Sequence, residues 1–446
     1  MESITVREYE QFELPEAQGL PLLKLLQEIW NNRKTNPTYF SNEETSTNQR
    51  FFEVQHLKGC IRFKATQYMG VFQTSDVRIQ VIPKIFNEQT DNMYQKLLWM
   101  ISYAENIATP VSPDIELEAT SNDSMYQELL IWLFARKCHS VLQKKSYMHY
   151  DNRQENIGFV KGKILFSEHL KHNIAHNRQD KVYCEYDLYQ EDNLFNQILK
   201  FVIESLLRTT SLPMNKRWLE KCLDPLHDVS RRKCTYSDTL KIRLNPFQKD
   251  FEPLLRYCQF FLNQQKPFWT ENSFQLDYVV FNMNKLYEKF LASFLRKHFS
   301  NEWLFKASAS HNFLTTDQQF NLEFDFHLKE INGAGRVIIG DAKYKTGIDL
   351  SRNGTESGIS SGDFYQLLTY AIREKADAMI LIYPEESDSS VVSKEFFIRD
   401  EYGNNLIPFH AIKVPIKGST FHEMDYNLKV VLDGYFNQED LEEKVR

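Results

Sequence analysis

Alternating apolar and polar residues dominate the first part of the chain, and this two-residue period predicts β-strands. Between residues 50 and 85, four short runs rich in β-branched and aromatic residues follow one another, and Gly59 and Gly70 mark the predicted turns. We therefore expect a small meander or barrel there, ended by Pro83. Ahead of it the pattern predicts, in order, a strand, a helix and a long polar loop, over residues 4–9, 20–31 and 32–49.

The middle of the chain changes to the apolar spacing of helices, with apolar residues three or four positions apart. One interruption, residues 161–170, is predicted to form a strand and a short helix. Elsewhere in this part the spacing predicts helices over residues 91–106, 124–146, 193–208, 214–222 and 250–263.

Near residue 277 the pattern changes again, and helices begin to alternate with strands. The order helix, strand, strand, helix, strand is typical of a mixed α/β unit. These elements are predicted over residues 278–298, 320–329, 336–344, 362–375 and 378–383. The three patterns together predict an α+β multidomain chain, with a β-rich domain at 1–88, a mainly helical region at 89–275 and an α/β domain at 276–446.

The charge balance limits which partners the chain can bind as a whole. Its 53 Lys and Arg residues against 60 Asp and Glu leave a net charge of −7, so any nucleic-acid contact must come from a local basic patch. No apolar run approaches the roughly 18 residues that span a bilayer, and the polar start is unlike a signal peptide. Six scattered cysteines without a CxxC pair argue against structural zinc and for reduced thiols. We therefore expect a cytoplasmic protein without a membrane partner.

A strand, a glycine turn and a second strand carry the candidate chemistry. The first strand reads FNLEFDFHLK, and its strict alternation places Asp325 on the polar face of a half-buried strand. The return strand reads RVIIGDAKYK, in which Asp341 and Lys343 are two residues apart and leave the same face of the sheet. If the hairpin folds about residues 332–333, Asp325 lies opposite residues 340–341.

Two carboxylates and an ammonium group in one patch predict a metal-dependent hydrolytic site. Neighbouring carboxylates repel each other unless a cation bridges them, and Mg²⁺ commonly uses one or two carboxylates while keeping positions for water and phosphate oxygens. Lys343 could then orient or deprotonate the attacking water, or stabilise charge developing on phosphorus. The alternative is a plain salt bridge between Asp341 and Lys343 at a strand end. Glu288 and Gln366, on the flanking helices, weigh against that alternative.

The run IIGDAKYK, followed by DFYQLLTYA and then by MILIYP, resembles the nuclease domain of the McrC family. McrC is the cleavage subunit of the McrBC modification-dependent restriction systems, and its catalytic domain belongs to the PD-(D/E)xK nuclease superfamily. Three further stretches resemble the family, so that the resemblance covers nearly the whole chain. They are YMGVFQTSDVRIQVIPKI, VKGKILFSEHL and YDLYQEDNLFNQILK.

The resemblance implies a C-terminal PD-(D/E)xK-type α/β nuclease core and assigns roles by position. It makes Asp325 and Asp341 the two metal carboxylates and Lys343 the catalytic lysine, although Phe324 stands where the family usually has proline. That proline shapes the strand and does no chemistry. Further roles are implied for the main-chain carbonyl of Ala342 as a metal ligand, and for Glu288 and Gln366 as accessory residues.

The resemblance also implies a function that needs partners. It implies a Mg²⁺-dependent DNA endonuclease, with Mn²⁺ able to substitute, that cleaves double-stranded DNA containing modified cytosine. A separate McrB-like AAA+ GTPase would bind the GTP, because this chain has no P-loop, and the chain would stimulate GTP hydrolysis. Paired nuclease domains would cut both strands. Two alternatives remain: a non-catalytic regulatory subunit that activates an AAA+ NTPase, and a stand-alone nuclease, which the long region ahead of the catalytic unit disfavours.

Two basic stretches are candidates for contacting the DNA backbone. The loop 345–360 contains three glycines and, by its sequence, no apolar cluster, and we expect it to close over DNA with Lys345 and Arg352 on phosphates. Residues 205–243 hold nine Lys or Arg against four Asp or Glu. That stretch includes the run Arg231, Arg232 and Lys233. For both stretches an ordinary solvated surface is the alternative.

The polar segment 32–49 is too long for an ordinary connection, and such loops are usually functional or disordered. Arg33 and Lys34 stand near its start. A cation delivered in trans can stabilise charge developing on a transferred phosphoryl group, so either residue is a candidate for activating the partner's GTPase. A disordered surface loop is the alternative.

Overall fold

The structure of the chain, a computed structural model, describes most of the sequence in ten segments. They are residues 1–32, 50–86, 92–107, 124–264, 276–306, 324–332, 335–352, 357–385, 393–399 and 405–436. Contacts among them separate into two compact units: the first joins the chain before residue 126 to the chain after residue 277, and the second holds residues 126–277. No helix in these segments is long and apolar enough to cross a membrane.

Within these segments the chain forms sixteen strands and eleven α-helices. The strands are β1 Glu2–Arg7, β2 Gln11–Pro15, β3 Phe52–Leu57, β4 Cys60–Ala65, β5 Tyr68–Gln73, β6 Val77–Ile82, β7 His149–Ile157, β8 Lys163–Ile164, β9 Val182–Gln190, β10 Tyr278–Asn282, β11 Trp303–Lys306, β12 Phe326–Glu330, β13 Val337–Ala342, β14 Ala378–Pro384, β15 Ser393–Arg399 and β16 Asn405–Val414. The helices are α1 Glu16–Asn31, α2 Met93–Ala104, α3 Met125–Leu142, α4 Phe166–His172, α5 Leu194–Thr209, α6 Pro213–Leu223, α7 Tyr236–Thr239, α8 Glu252–Asn263, α9 Met283–Phe299, α10 Ser361–Glu374 and α11 Phe421–Phe436. The prediction of a mixed α/β, multidomain chain is confirmed.

Six strands from the N-terminal part, together with β10 from later in the chain, build two small sheets around one apolar core. One sheet has the order β1–β6–β5–β10, with β1 parallel to β6, and the other has the order β2–β4–β3. Helix α1 closes this core with Leu22, Leu26 and Ile29. The four β-rich runs predicted between residues 50 and 85 are confirmed as β3 to β6, whereas β2 was not predicted.

Two sequence predictions were wrong: Gly70 does not lie in a turn, and residues 278–282 do not begin a helix. The pairing of β10 with β5 explains both differences. Gly70 lies inside β5 with φ +145°, not in a turn, and a Cβ there would stand 1.9 Å from the carbonyl oxygen of Val279. That close approach exists because β10 pairs antiparallel with β5. Residues 278–282, predicted as the start of a helix, form β10 instead, and α9 begins at Met283 after its Asn282 cap.

Helices form most of the second unit, as predicted, but a three-stranded sheet accompanies them. The helices α3, α5, α6 and α8 match the predicted ones, and β8 with α4 confirms the strand and short helix predicted over residues 161–170. The long antiparallel pair β7–β9 was not predicted. Its first strand reads HYDNRQENI and is almost free of apolar residues, so no alternation marks it.

Six strands form the sheet that carries the candidate chemistry, in the order β11–β12–β13–β14–β16–β15. The predicted hairpin is confirmed as the antiparallel pair β12–β13, while β13, β14 and β16 run parallel. Strand β13 therefore lies inside the sheet. Helix α10 covers β13 and β14 through the buried side chains of Leu367 and Ala371.

The loop that follows β13 has an apolar anchor, contrary to the prediction of a loop without one. Ile348 and Leu350 are buried and join the apolar cluster beneath α10. Isolated aliphatic residues in a polar stretch have no period, so the sequence pattern did not reveal them. In its described part, the predicted loop 345–360 is thus attached to the core of the sheet.

Candidate functional site

The β12–β13 hairpin brings Asp325 and Asp341 face to face, as the sequence predicted. Phe326 pairs with Gly340, so Asp325, which directly precedes β12, lies across from Asp341 in β13. The main-chain N–H of Ala342 donates a hydrogen bond to Asp325 Oδ2 at 2.7 Å. The antiparallel register therefore gathers two carboxyl groups at one end of the hairpin.

Gly340 permits the close approach of the strands on either side of it. A Cβ at this position would stand 2.0 Å from Cε2 of Phe326 on β12 and 2.7 Å from Cγ2 of Ile380 on β14. Both neighbours are buried in the sheet. A glycine beside Asp341 is therefore a packing requirement of the strand that carries the carboxylate.

Lys343 supplies a positive charge next to the carboxylates. Its ammonium group directly contacts the Asp341 carboxylate and lies 3.8 Å from Asp363 Oδ1. Its main-chain N–H donates to the carbonyl of Ile382 at 2.9 Å, which continues the pairing with β14 and fixes the backbone. Burial acts to lower the pKa of Lys343, but the carboxylates of Asp341 and Asp363 outweigh burial and raise the pKa.

Asp325 is the carboxyl group that its surroundings perturb most. Burial raises its pKa well above the usual range, and the charge of Asp341, a hydrogen bond between the two carboxyl groups and the charge of Glu288 raise it further. The hydrogen bond from the N–H of Ala342 acts in the opposite direction. A carboxyl group in this setting is stabilised by a proton or by a bridging cation.

Glu288 adds a third carboxylate from helix α9. Its Oε2 accepts a hydrogen bond from the ammonium group of Lys285 at 2.8 Å. Burial raises the pKa of Glu288, Lys285 lowers it, and the nearby charge of Asp341 raises it again. Glu288 therefore shares an electrostatic environment with the Asp325–Asp341 pair.

Helix α10 contributes an acidic residue that the sequence analysis did not single out. Gln366 is exposed, and its side-chain amide donates to Tyr370 Oη at 2.9 Å. Asp363, in the first turn, instead contacts the ammonium group of Lys345 and faces that of Lys343. Sequence reasoning missed Asp363 because an acidic residue in a first helical turn also stabilises the helix dipole.

The donor atoms of this group suit a hard divalent cation. Asp325, Asp341 and Glu288 offer carboxylate oxygens, and Ala342 offers a main-chain carbonyl, which are the ligand types that Mg²⁺ prefers. Within the described segments, no three acidic, His or Cys side chains stand in a ready-made metal-binding arrangement. Mg²⁺ needs only one or two protein carboxylates, however, because water and phosphate oxygens complete its shell. The Asp325–Asp341 pair satisfies that requirement.

A match to a protein family covers the hairpin and much of the remaining chain. The family model described as McrBC 5-methylcytosine restriction system component matches residues 63–384, well over half of the sequence. The chain belongs to the McrBC family.

One curated protein and one solved structure are similar to this chain over much of its length. The type IV methyl-directed restriction enzyme EcoKMcrBC of Escherichia coli (strain K12) is 24% identical over 324 residues, which cover 66% of this chain and 85% of that protein. A chain in the half-complex from the tetradecameric assembly of Thermococcus gammatolerans McrB AAA+ hexamers with bound McrC is 19% identical. It aligns with a TM-score of 0.60 over 97% of this chain and 99% of its own length. At this identity the likeness shows the fold alone.

Two basic residues of this McrBC family member follow the hairpin. Lys345 contacts Asp363 at the edge of the carboxylate group. Arg352 pairs through Nε with Asp349 Oδ2 at 2.9 Å, and its side chain is 64% exposed. Arg33 and Lys34, the candidates for activating a partner, lie outside the described residues.

A basic cleft lies in the second unit. The run Arg231, Arg232 and Lys233 lines a cleft of about 310 Å³ opposite α5. Arg231 pairs with Glu204 at 2.9 Å, and Arg232 with Asp238 at 3.5 Å. The lining is Lys200, Phe201, Glu204, Arg208, Arg231, Arg232 and Lys233. Five basic side chains and a single acidic one therefore face this cleft.

Proposed function

We propose that the chain is the McrC-like cleavage subunit of an McrBC restriction complex and hydrolyses DNA phosphodiesters with Mg²⁺ at the β12–β13 hairpin. The observation that carries this proposal is the opposition of Asp325 and Asp341 beside Lys343 at one end of the hairpin. Two buried carboxyl groups that face each other repel and destabilise the fold, so a strand end without a function would not be expected to carry them.

Asp325, Asp341 and the carbonyl of Ala342 would hold the metal ion, with Glu288 close by. Bound there, Mg²⁺ would supply Lewis-acid stabilisation of the phosphoryl oxygens and activation of water. Mn²⁺, which accepts the same oxygen ligands, is expected to substitute.

Lys343 would act on the substrate rather than on the metal ion. It stands between the carboxylates of Asp341 and Asp363, and both favour its ammonium form. A protonated lysine donates hydrogen bonds, so it can orient the attacking water and stabilise negative charge developing on the phosphoryl group. Asp363 on α10 supports this arrangement through its contacts with Lys343 and Lys345.

The partner would be an McrB-like AAA+ GTPase that binds GTP and presents double-stranded DNA with modified cytosine. Family membership and the likeness to a chain from a McrB–McrC assembly support this part of the proposal. Two copies of the nuclease domain would pair so that both DNA strands are cut. Arg33 and Lys34 are proposed to activate the partner, which an Arg33→Ala/Lys34→Ala variant tests through GTPase stimulation with complex formation as control.

The backbone of the DNA would meet Lys345 and Arg352 beside the hairpin and the run Arg231, Arg232 and Lys233 in the basic cleft. Each lost phosphate contact should flatten the dependence of log affinity on log salt by about 0.9 for duplex DNA. Fluorescence anisotropy on duplex DNA should show this flattening in an alanine variant of the run. Arg256→Ala is the matched control, because Arg256 is an exposed arginine paired with Glu252 in the same unit. An unchanged salt slope in the variant of the run removes the cleft from DNA binding.

The decisive experiment compares wild type with Asp341→Asn in the complex with the GTPase. We expect Asp341→Asn to lose Mn²⁺ binding by calorimetry and to lose cleavage of modified DNA by about 10²-fold or more, with GTPase stimulation intact. Asp76→Asn, which changes an exposed aspartate in the turn between β5 and β6, is the control and should cut normally. If the wild type stimulates GTP hydrolysis but neither binds Mn²⁺ nor cuts, the chain is a regulatory subunit instead.

A further inference from the structure

A buried glutamate from the start of the chain contacts the residue that follows the proposed catalytic lysine. Glu8 comes directly after β1, is only 3% exposed, and accepts a hydrogen bond from the Tyr344 hydroxyl through Oε2 at 2.7 Å. The main-chain N–H of Lys84 donates to the same oxygen at 2.9 Å. The carboxylate of Glu8 thus joins two residues that are distant in sequence.

Lys84 holds Tyr344 from a second direction. Its ammonium group donates to the main-chain carbonyl of Tyr344 at 2.9 Å and lies 4.5 Å from the centroid of the Tyr344 ring. It also lies 4.7 Å from the ring of Tyr9. Cation–π contacts of this kind are stronger when they are shielded from water. Lys84 therefore restrains both the backbone and the ring of Tyr344.

Glu8 and Lys84 act from one rigid base, because they follow adjacent strands of the same sheet. Strands β1 and β6 run parallel, and Arg7 pairs with Ile82 at their shared end. The N–H of Glu8 continues the ladder by donating to the carbonyl of Ile82 at 3.0 Å. This end of the N-terminal sheet therefore contacts Tyr344 at two points, through Glu8 and through Lys84, and we call this pair of residues the clamp.

Tyr344 transmits this clamp to two sides of the proposed active site. It is bonded directly to Lys343, whose ammonium group contacts Asp341. Its ring also packs against the ring of Tyr287 at 5.8 Å between centroids, and Tyr287 precedes Glu288 on α9. A shift of Tyr344 would therefore move both Lys343 and the helix that carries Glu288.

The clamp is costly in free energy, which indicates a role beyond packing. Burial raises the pKa of Glu8 to about 7, although the hydrogen bonds from Lys84 and Tyr344 lower it. Its second oxygen, Oε1, is buried and has no hydrogen-bond partner among the described residues. A buried acceptor without a partner destabilises a protein. Apolar residues would fill the same volume with less penalty.

We infer that Glu8 and Lys84 are positioning residues for the cleavage reaction: through Tyr344 they hold Lys343 in register with Asp341. This inference rests on the proposed nuclease function. It links the N-terminal sheet to the cleavage centre, so that the conformation of that sheet affects turnover. Neither residue touches the reacting atoms, so their effect should appear in turnover and not in metal affinity.

The test uses Glu8→Gln, Lys84→Met and Tyr344→Phe in the full chain assembled with its GTPase partner. We expect cleavage to fall by about 10- to 100-fold, the range produced by small misplacements of catalytic groups. Mn²⁺ affinity by calorimetry should stay within about twofold, because the carboxylates are unchanged. Lys84→Arg should recover most of the cleavage, since a guanidinium group can donate to the carbonyl and stack on both rings.

Glu13→Gln and Lys64→Met are the matched controls, since both remove exposed ion pairs from the same N-terminal part and should leave cleavage unchanged. The inference is overturned if Lys84→Met and Tyr344→Phe cut like the wild type. It is also overturned if cleavage and Mn²⁺ affinity fall together, or if Lys84→Arg recovers nothing, because general destabilisation then explains the loss. Failure of the proposed function is distinguishable, because then either the wild type itself neither binds Mn²⁺ nor cuts, or Asp341→Asn cuts like the wild type.

Discussion

Replacing Asp325 by asparagine should stabilise the folded chain in the absence of divalent metal while abolishing its response to metal. The substitution keeps the shape of the side chain and its ability to accept the hydrogen bond from Ala342. It removes one of two facing carboxylates, and the new amide can donate to Asp341. Sites built for charged ligands are commonly destabilising in their empty form, so the gain in stability and the loss of function should coincide.

The expected magnitude follows from the register of the hairpin. Side chains that face each other across antiparallel strands have Cβ atoms about 5 Å apart. Two unit charges at about 5 Å repel by about 3 kcal/mol at an effective dielectric constant of about 20. The contact of Lys343 with Asp341 offsets part of this repulsion, so we expect Asp325→Asn to gain about 1–3 kcal/mol at pH 8. Because the folded-state pKa of Asp325 is raised, the gain should shrink as the pH falls towards 3.8, where the wild type folds with this group protonated.

The assay is urea unfolding of wild type and Asp325→Asn in EDTA and in excess Mn²⁺, at pH 8 and at pH 5. Metal at one hundred times its dissociation constant should stabilise the wild type by about 2.7 kcal/mol and the variant much less. Asp349→Asn serves as the control, because this exposed aspartate pairs with Arg352 and should gain nothing in EDTA. The reasoning is refuted if Asp325→Asn is no more stable than the wild type in EDTA at pH 8, or if Mn²⁺ stabilises both proteins equally.

Three further predictions concern stability and can be measured by urea unfolding. Gly340→Ala should destabilise the chain by about 1–3 kcal/mol, because the added Cβ would overlap Phe326. The control is Gly434→Ala in α11, where the added Cβ meets no neighbour, so this variant should not be destabilised. Equal losses of stability in the two variants would contradict this account. The pKa of Glu8 is about 7 in the folded chain against an ordinary 4.5, so the folded chain holds this proton more tightly than the unfolded chain. The resulting stabilisation of the fold is complete below pH 4.5, and about 3 kcal/mol of it is lost as the pH rises to 7. Glu8→Gln should not show this loss. Glu128→Ala should lower the free energy of unfolding by about 3 kcal/mol or more, because the buried carboxylate accepts hydrogen bonds from Thr210, Ser211 and Asn215. A loss below about 1 kcal/mol would show that water satisfies those three donors in the variant.

Local residue patterns were sufficient to predict the hairpin and the meeting of its carboxylates. The strict alternation before the glycine turn predicts the first strand, and a short turn leaves few possible registers. That register alone places Asp325 across from Asp341, and the two-residue spacing places Lys343 on the same face. These features depend only on neighbours in sequence, which is why sequence reasoning was correct for them.

Contacts between distant parts of the chain were not predictable in this way. Asp363 shows the same first-turn signature as any helix-stabilising acid, and only the packing of α10 on the sheet brings it to Lys343. Gly70 resembled a turn glycine, yet the close approach of β10, which is distant in sequence, is what requires it. The hydrogen bond from Gln366 to Tyr370, one turn later on α10, was likewise not visible in the residue pattern.

The sequence by itself determined the mixed α/β class, the order of most helices and strands, and the residues that carry the candidate chemistry. Only the tertiary structure decided which side chains support them, such as the clamp of Glu8 and Lys84 on Tyr344. The physical reason is that periodicity reports which face of an element is buried, whereas contacts across hundreds of residues depend on how the sheets and helices close around each other.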